Sequence, residues 1–220
     1  IWCWLILFTG NNKKTSNMTE ISQRKADHIN LALQAEHQGA LSAGFDRIQF
    51  EHNALPELLV SEVDCSAIFL NQYCSAPLII GAMTGGCEHG ESINRHLAEA
   101  AEQAQIPMAV GSQRAALQDG LAQDVRRWAP KAILLGNLGG TQLQQHGVEL
   151  AQRAVDSIEA NAMIIHLNPL QELVQPDGDR DWRGVLAAIE ECCATLSVPV
   201  IIKEVGSGIG PSSAQRLIDV

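Results

Sequence analysis

The chain is poor in positive charge. Its 220 residues contain 15 lysines and arginines against 25 aspartates and glutamates, which gives a formal net charge of -10 at pH 7. A chain with this balance has no broad basic face for a nucleic-acid backbone or an anionic membrane, so we expect neither as a partner. A small anionic substrate is compatible with the charge, because a few local cations, backbone amides and a bound metal ion suffice to hold a diphosphate.

Long apolar runs are missing as well. The opening run, residues 1–8 (IWCWLILF), is short, whereas a membrane-spanning helix needs about 20 apolar residues. It does not resemble a secretory signal, because Lys13 and Lys14 follow the apolar residues instead of preceding them. Since an ordinary soluble pattern begins at Met18, we expect residues 1–17 to be a non-native or upstream leader. Residues 18–75 would then form an N-terminal extension.

Several motifs that indicate a particular chemistry are absent. No two of the six cysteines form a CxxC pair, so we interpret them as reduced, packed thiols of a cytoplasmic protein. Neither GxGxxG nor GxxxxGK[ST] occurs, which leaves dinucleotide and P-loop binding without support. No Ser-His-Asp order stands out, so covalent acyl transfer has no support either. The cysteines are Cys3, Cys65, Cys74, Cys87, Cys192 and Cys193.

What the chain does contain is a regular alternation of segments after residue 76. Apolar, β-branched runs alternate with alanine-rich stretches of helical spacing, which predicts strands and helices in turn. The predicted strands are residues 77–82, 107–110, 132–135, 162–165 and 198–202. The predicted helices are residues 94–105, 143–160, 182–196 and 212–220, with another at 27–35 in the extension. Strands that are apolar on both faces and separated by helices indicate a buried parallel sheet.

Each predicted strand is followed at once by a polar or glycine-rich patch. The patches are residues 83–86, 111–114, 136–140, 166–172 and 203–206. Such groups converge if the sheet closes, whereas an open, doubly wound sheet would scatter them along an edge. We therefore predict an α/β fold of the TIM-type (β/α)8 barrel class. Residues 76–220 would supply about five of its eight βα units, and the remaining strands would lie past residue 220.

The richest patch is residues 166–172 (HLNPLQE). It places His166, Asn168, Gln171 and Glu172 at one strand end. Carboxylate and amide oxygens suit a hard cation such as Mg2+, which commonly keeps waters and binds substrate phosphates. The alternative is a hydrogen-bonded loop with Glu172 in solvent. The spacing does not fit a closed zinc site.

A second group of candidates surrounds Lys203, which ends an otherwise apolar strand. A buried lysine needs a partner, so either Glu204 or an anionic or electron-rich ligand should meet it. The pairs Gly85-Gly86 and Gly139-Gly140 would let backbone approach a planar or phosphorylated cofactor, or would simply form tight βα turns. Asn137 at a neighbouring strand end makes the cofactor reading as strong as the turn reading.

Basic residues near the N-terminus form a third group. Arg24 and Lys25, with His28, are placed to clamp a phosphate over the barrel mouth. Taken alone, the same residues describe a solvated helix start. The sequence leaves both interpretations open.

These motifs together resemble the type 2 isopentenyl-diphosphate delta-isomerases. The matching segments, in family order, are residues 24–28 (RKADH), 54–57 (ALPE), 81–86 (GAMTGG), 111–114 (GSQR), 136–139 (GNLG), 166–172 (HLNPLQE) and 203–206 (KEVG). HLNPLQE is the most distinctive. The resemblance implies an FMN-binding (β/α)8 barrel that interconverts isopentenyl and dimethylallyl diphosphates. It also implies reduced FMN and Mg2+ as cofactors, NADPH as the flavin reductant, and a homotetramer or larger assembly.

The resemblance also assigns residues. Contacts to FMN would come from Ala82, Met83, Thr84, Ser112, Asn137 and Lys203. The substrate would be bound by Arg24, Lys25, Ser112, Gln113, Arg114 and Gln171. Catalytic roles would fall to Gln171, His166 and Asn168, and Glu172 would hold Mg2+.

Two other functions remain open from the sequence. An FMN-dependent oxidoreductase on the same barrel would place a histidine and an arginine beside the flavin, although the LNPLQE segment and the Arg24-Lys25 pair argue against it. A flavin-binding fragment without activity, acting as a sensing or interaction module, is the other alternative.

Overall fold

The computed structural model describes residues 44–83, 90–119, 123–175 and 178–220. The predicted leader, the helix at residues 27–35, and the candidates Arg24, Lys25, His28, Thr84 and Gly85-Gly86 lie outside the described residues. Their assignments stay predictions. Within the described ranges, no helix is long and apolar enough to cross a membrane.

A small hairpin precedes a parallel sheet with helices. Two 3-10 turns (Phe45–Arg47 and Val60–Glu62) lead to strands β1 (Ala67–Phe69) and β2 (Gln72–Cys74), which pair antiparallel. The later strands are β3 (Met108–Ala109), β4 (Leu134–Gly139), β5 (Ala162–Leu167) and β6 (Val200–Glu204). The helices are α1 (Gly90–Ala104), α2 (Arg114–Asp119), α3 (Val125–Trp128), α4 (Gly140–His146), α5 (Val148–Ile158), α6 (Pro169–Val174), α7 (Val185–Thr195) and α8 (Pro211–Ile218).

The four later strands form one parallel sheet in chain order, β3-β4-β5-β6. A parallel bridge between Ile80 and Met108 adds the preceding segment at the β3 edge. Strands that follow one another in space as they do in sequence are typical of a (β/α) barrel, whereas a doubly wound sheet reverses its order at a switch point. The predicted α/β class is confirmed, and the curled sheet is compatible with part of a TIM-type barrel.

Three predicted elements differ from the structure by more than a shift of their ends. The run at residues 77–82 contributes only the bridge at Ile80. β4 starts at Leu134 and continues through Gly139, so the patch predicted to follow this strand lies largely within it. The helix predicted at residues 143–160 is two helices, α4 and α5, separated by Gly147. The φ angle of Gly147 is +73°, a conformation that favours glycine and ends α4.

Strands β3 and β4 and most of β5 are buried on both faces, as a parallel sheet requires, whereas β6 is half-buried. The outer face packs against the helices through Met108, Leu134, Leu138, Met163 and Ile165. The inner face is formed by Ala109, Ile133, Leu135, Ala162 and Ile164, with Cys74 of β2. Full burial of one large apolar side chain stabilises a fold by about 1.5–3 kcal/mol. The strict alternation between the two clusters fixes which later residues of each strand share the inner face.

Two of the longer helices each present one buried stripe to the core. In α1, Asn94, Ala98 and Ala101 are buried and follow the helical spacing. In α5, Leu150, Ala154 and Ile158 do the same. α6 and α8 both begin with proline, whose fixed φ suits the first helical position.

The described cysteines are free, but only some are packed. Cys74 and Cys192 are buried, whereas Cys65 and Cys193 are exposed. The expectation of packed thiols is therefore correct for the first pair and wrong for the second. Burial raises the pKa of the Cys192 thiol to about 11, with smaller contributions from Cys193 and Glu191. Cys192 is accordingly a weak nucleophile at neutral pH.

Arg126 connects the ends of three segments. Its Nη1 donates to the carbonyl oxygens of Ala129 and Ala132, each at 2.9 Å. Its Nη2 donates to the carbonyl oxygen of Glu159 at 2.7 Å and to Asn161 Oδ1 at 3.2 Å. One guanidinium thus satisfies the end of α3, the chain entering β4 and the turn between α5 and β5.

We expect Arg126→Ala to destabilise the chain by about 2–4 kcal/mol, because it removes several charge-assisted hydrogen bonds and leaves carbonyl groups unsatisfied. Urea unfolding followed by circular dichroism measures the change. The control is Arg127→Ala, an exposed arginine on the same helix, which should alter the free energy of unfolding by less than about 0.5 kcal/mol. Equal effects of the two substitutions would contradict the structural role of Arg126.

Candidate active site at the strand ends

Three polar side chains follow the apolar inner face toward the carboxyl ends of β4, β5 and β6. Asn137, His166 and Lys203 each lie two residues beyond an inner-face position of their strand, so the period of two places them on that face. His166 and Lys203 are directly paired between β5 and β6. We call these three residues the inner-face row. The prediction that polar groups from neighbouring strand ends lie together is confirmed for this row.

Asn137 fixes the protonation of His166. The Asn137 Nδ2 donates to the Val110 carbonyl oxygen at 3.0 Å, so its Oδ1 must be the acceptor toward His166 Nδ1 at 2.8 Å. His166 therefore carries hydrogen on Nδ1, and in the neutral ring Nε2 is the acceptor. Asn137 is buried. The sequence assigned it to FMN and did not predict this contact.

Gln113 holds the backbone of Asn137 in place. Its side chain is fully buried. The Oε1 accepts from Asn137 N at 2.8 Å, and the Nε2 donates to the Ala154 carbonyl oxygen at 2.9 Å and to Ser157 Oγ at 3.0 Å. A further bond joins it to Gln123. These internal hydrogen bonds hold the side-chain amide of Gln113. Its predicted contact with the substrate stays a prediction, and that contact would require these hydrogen bonds to change. Ser112 is half-buried beside it.

Lys203 does not pair with the Glu204 carboxylate. Its ammonium donates to the Glu204 carbonyl oxygen at 3.3 Å. The Glu204 carboxylate instead accepts from the backbone of Gly206, Ser207 and Gly208, because neighbouring residues of a strand point to opposite faces. Burial lowers the pKa of the Lys203 ammonium, and Glu204 raises it to a smaller extent. The ion pair with Glu204 that the sequence allowed is therefore not formed, and the anionic or electron-rich ligand stays a prediction.

Glu172 lies at the start of α6 and is buried, with 8% of its surface exposed. The alternative with Glu172 in solvent is therefore wrong. Its Oε1 accepts from Asn168 Nδ2 at 2.7 Å, and its Oε2 accepts from the backbone N–H of Asp179 at 2.9 Å. Asn168 Nδ2 also donates to Gln171 Oε1 at 3.2 Å. Asn168, Gln171 and Glu172 are thus brought together as the sequence predicted.

Asp179 joins this group and was not among the predicted residues. Its Oδ2 accepts from Gln142 Nε2 at 3.0 Å and lies 3.4 Å from Arg114 Nη1. Arg114 is therefore held beside the segment that contacts Glu172. Asp179 lies in the acidic run 177–181 (DGDRD), which is the sequence feature that could have drawn attention to it. From the sequence alone, we conclude only that this run does not match a calcium-binding loop.

The glycine pair at residues 139 and 140 is explained by packing. A Cβ on Gly139 would meet the Gln142 amide and would lie 3.1 Å from His166 Nε2. A Cβ on Gly140 would lie 2.9 Å from Val185 Cγ1. The chain's own side chains occupy these spaces, so close packing within the chain accounts for both glycines, and the approach of a cofactor here stays a prediction.

The described residues are compatible with FMN as a ligand of the inner face. Lys203 offers a cation without a carboxylate partner in the described part of the chain, beside the apolar inner-face cluster. Ala82 is half-buried next to this cluster, and Met83 is 63% exposed. A flat aromatic ring with an electron-rich edge matches an apolar surface that ends in a cation and amides.

Mg2+ is compatible with Glu172 as a single protein ligand. The described ranges contain no group of three or more His, Cys, Asp or Glu side chains suited to a metal ion. Each Glu172 oxygen accepts one neutral donor and has a further lone pair for a cation. Mg2+ bound by one carboxylate together with substrate phosphates and waters is a common arrangement in proteins.

The chain is similar to bacterial proteins named isopentenyl-diphosphate delta-isomerase. It is 48% identical over 206 residues to the Cronobacter sakazakii protein, matching 91% of this chain and 59% of that protein. It is 51% identical over 203 residues to the Pseudescherichia vulneris protein, with 90% and 58% matched. The Nostoc sp. protein is 41% identical over 213 residues, with 94% and 61% matched.

No protein-family model matches the chain. The chain spans about three fifths of the length of the curated relatives it matches. Identity of 41–51% over at least 89% of this chain establishes common ancestry for the matched part. Over that part, the chain is homologous to proteins named isopentenyl-diphosphate delta-isomerase.

Proposed function

We propose that this chain forms the flavin-facing and metal-facing part of an FMN-dependent, type 2 isopentenyl-diphosphate delta-isomerase on a (β/α)8 barrel. One observation carries the proposal. A buried carboxylate, Glu172, lies on α6, which directly follows β5, the strand that carries His166 of the inner-face row. The names of the homologues supply the substrate class.

The reaction adds a proton at one end of an unactivated alkene and removes another from the allylic carbon. When bound, reduced FMN would supply the proton donor and would stabilise positive charge at the alkene, a task for which an ordinary carboxylic acid is too weak. Lys203 and the inner-face apolar residues would hold and orient the flavin. His166, Asn168 and Gln171 would face the substrate, with Asn137 keeping hydrogen on His166 Nδ1. NADPH would serve only to reduce the flavin.

The diphosphate end of the substrate would be bound separately. Glu172 would hold Mg2+, which would neutralise charge on the diphosphate and hinder its loss as an allylic leaving group. Asp179 contacts both Arg114 and this carboxylate, so Arg114 would bind the same diphosphate, and Arg24 and Lys25 would close over it. A cytoplasmic homotetramer or larger assembly belongs to the same proposal.

The test is turnover in a completed protein. The chain, starting at Met18, is joined to the unmatched portion of the Pseudescherichia vulneris relative. Conversion of isopentenyl diphosphate to dimethylallyl diphosphate is then followed without oxygen, in Mg2+, with dithionite-reduced or oxidised FMN. We expect turnover with reduced FMN and at least a 100-fold lower rate with oxidised FMN.

The other outcomes select the alternatives. Flavin binding without isomerisation, together with oxidation of a hydroxy acid, would favour the FMN-dependent oxidoreductase. Flavin binding without either reaction would favour a sensing or interaction module. The intact Pseudescherichia vulneris protein is the control for the assay conditions.

A further inference from the structure

We propose that Asp179 is a positioning residue that holds the Arg114 guanidinium beside the Glu172 carboxylate for a metal-bound diphosphate. The inference rests on the proposed function, because that function supplies the ligand. Asp179 itself would contact neither the metal nor the substrate. Its role would be to fix the relative placement of a cation and a carboxylate that come from different βα segments.

The side chain of Asp179 contacts the segments that follow β3 and β4. Arg114, in the first turn after β3, places its Nη1 3.4 Å from Asp179 Oδ2. At the start of α4, after β4, Gln142 Nε2 donates to the same oxygen at 3.0 Å, and Thr141 Oγ1 lies 3.4 Å away. Gln145 Nε2 donates to Asp179 Oδ1 at 3.3 Å. One carboxylate therefore receives donors from two successive strand ends.

The backbone of Asp179 contacts the third strand end. Its N–H donates to Glu172 Oε2 at 2.9 Å, in the segment after β5. Its carbonyl oxygen accepts from Trp182 Nε1 at 3.2 Å. Because the backbone is tied at both sides, a movement of the Asp179 side chain would be transmitted to Glu172. The three segments together form the mouth where the substrate would bind.

Arg114 is held without using all its donors. Its Nε is buried and has no hydrogen-bond partner among the described residues. Its one ion pair there, with Asp179, is long for a charge-assisted hydrogen bond. A guanidinium presents several donors in a fixed plane, so phosphate oxygens can be bound while the pair with Asp179 is kept. This incomplete satisfaction distinguishes Arg114 from Arg126, whose Nη1 and Nη2 donate to backbone and amide oxygens of the fold.

The experiment measures binding of Mg2+ with inorganic pyrophosphate by isothermal titration calorimetry. Asp179→Asn removes the charge that holds Arg114 but keeps the backbone N–H to Glu172 and an oxygen for Gln142. We expect about 10-fold weaker binding, the lower end of the effect of removing an indirect partner of a metal site. The matched control is Asp181→Asn, two residues away, where an exposed aspartate pairs with exposed Arg183 and with no other cation among the described residues. It should change the affinity by less than about twofold.

A double-substitution cycle separates positioning from general structure. If Asp179 acts through Arg114, Asp179→Asn should have little further effect in an Arg114→Gln background. Additive effects, equal effects of the Asp179 and Asp181 substitutions, or no binding by the unsubstituted chain would each overturn the proposal. Unfolding curves check that every variant folds. Loss of isomerase turnover in the completed protein, with pyrophosphate binding and its dependence on Asp179 intact, would contradict the proposed function and leave this inference standing.

Discussion

Glu172→Gln is expected to weaken binding of Mg2+ with pyrophosphate by at least 100-fold and to lower turnover of the completed isomerase by a similar factor. Glutamine matches the volume of glutamate but carries no charge, so it is a poor ligand for a hard cation. The Asn168 amide and the Asp179 N–H both donate to Glu172, and glutamine offers an oxygen to only one of them. Some loss of stability, about 1–2 kcal/mol, is expected in addition.

Glu172→Gln should weaken binding of Mg2+ with pyrophosphate without weakening binding of FMN. FMN affinity should change by less than about twofold, because Glu172 serves the metal and not the flavin in the proposed arrangement. Calorimetry with Mg2+ and pyrophosphate, alongside flavin fluorescence, measures both ligands on one preparation. Glu190→Gln, an exposed glutamate on α7, is the control and should leave both affinities unchanged. Equal loss of both ligands in Glu172→Gln would show that Glu172 supports the fold and not the metal site.

The sheet could be predicted from the sequence because its strands are short, apolar and separated by helices. That pattern depends on burial from both sides, and the parallel order β3-β4-β5-β6 follows from connections that each contain a helix. The break at Gly147 was missed because apolar residues continue at helical spacing on both sides of it. At residues 77–82 the sequence predicts a longer strand than the structure has, because apolar content alone does not provide a pairing partner.

The candidate site could be predicted where it follows strand periodicity. Asn137, His166 and Lys203 share a face because each continues an alternation that is visible in the sequence. The roles of Gln113 and Asp179 could not be predicted in this way. Gln113 reaches across to α5, and the Asp179 side chain contacts residues 34 to 65 positions away. Contacts of this kind depend on the conformation of loops, which has no period to detect.

We expect Lys203 to lower the stability of the flavin-free chain and to raise its affinity for FMN. Its ammonium is partly buried, and among the described residues it donates only to a carbonyl oxygen. Burial lowers the pKa of this ammonium. An unfolded chain binds this proton more tightly than the folded chain does. As pH rises from the lowered pKa toward the ordinary value near 10.5, the free energy of unfolding of the flavin-free chain should therefore increase.

Lys203→Met should stabilise the flavin-free chain by about 1 kcal/mol at neutral pH, because it replaces a desolvated charge by an apolar side chain of similar length. It should also remove the contribution of Lys203 to the pH dependence between the lowered pKa and 10.5. In contrast, FMN affinity should fall by about 10- to 100-fold, the range for loss of one charge-assisted contact. Mg2+ with pyrophosphate should bind as before, since Lys203 belongs to the flavin side of the proposed site.

Urea unfolding between pH 7 and pH 10 and flavin fluorescence titrations measure the two effects on one variant. Lys131→Met, at an exposed lysine, is the matched control and should change neither quantity appreciably. A destabilised Lys203→Met chain with unchanged FMN affinity would show that the ammonium supports the fold and has no ligand to meet. The expected opposite result, a more stable chain that binds flavin poorly, is what a cation retained for a ligand produces, because the fold alone gains nothing from keeping it.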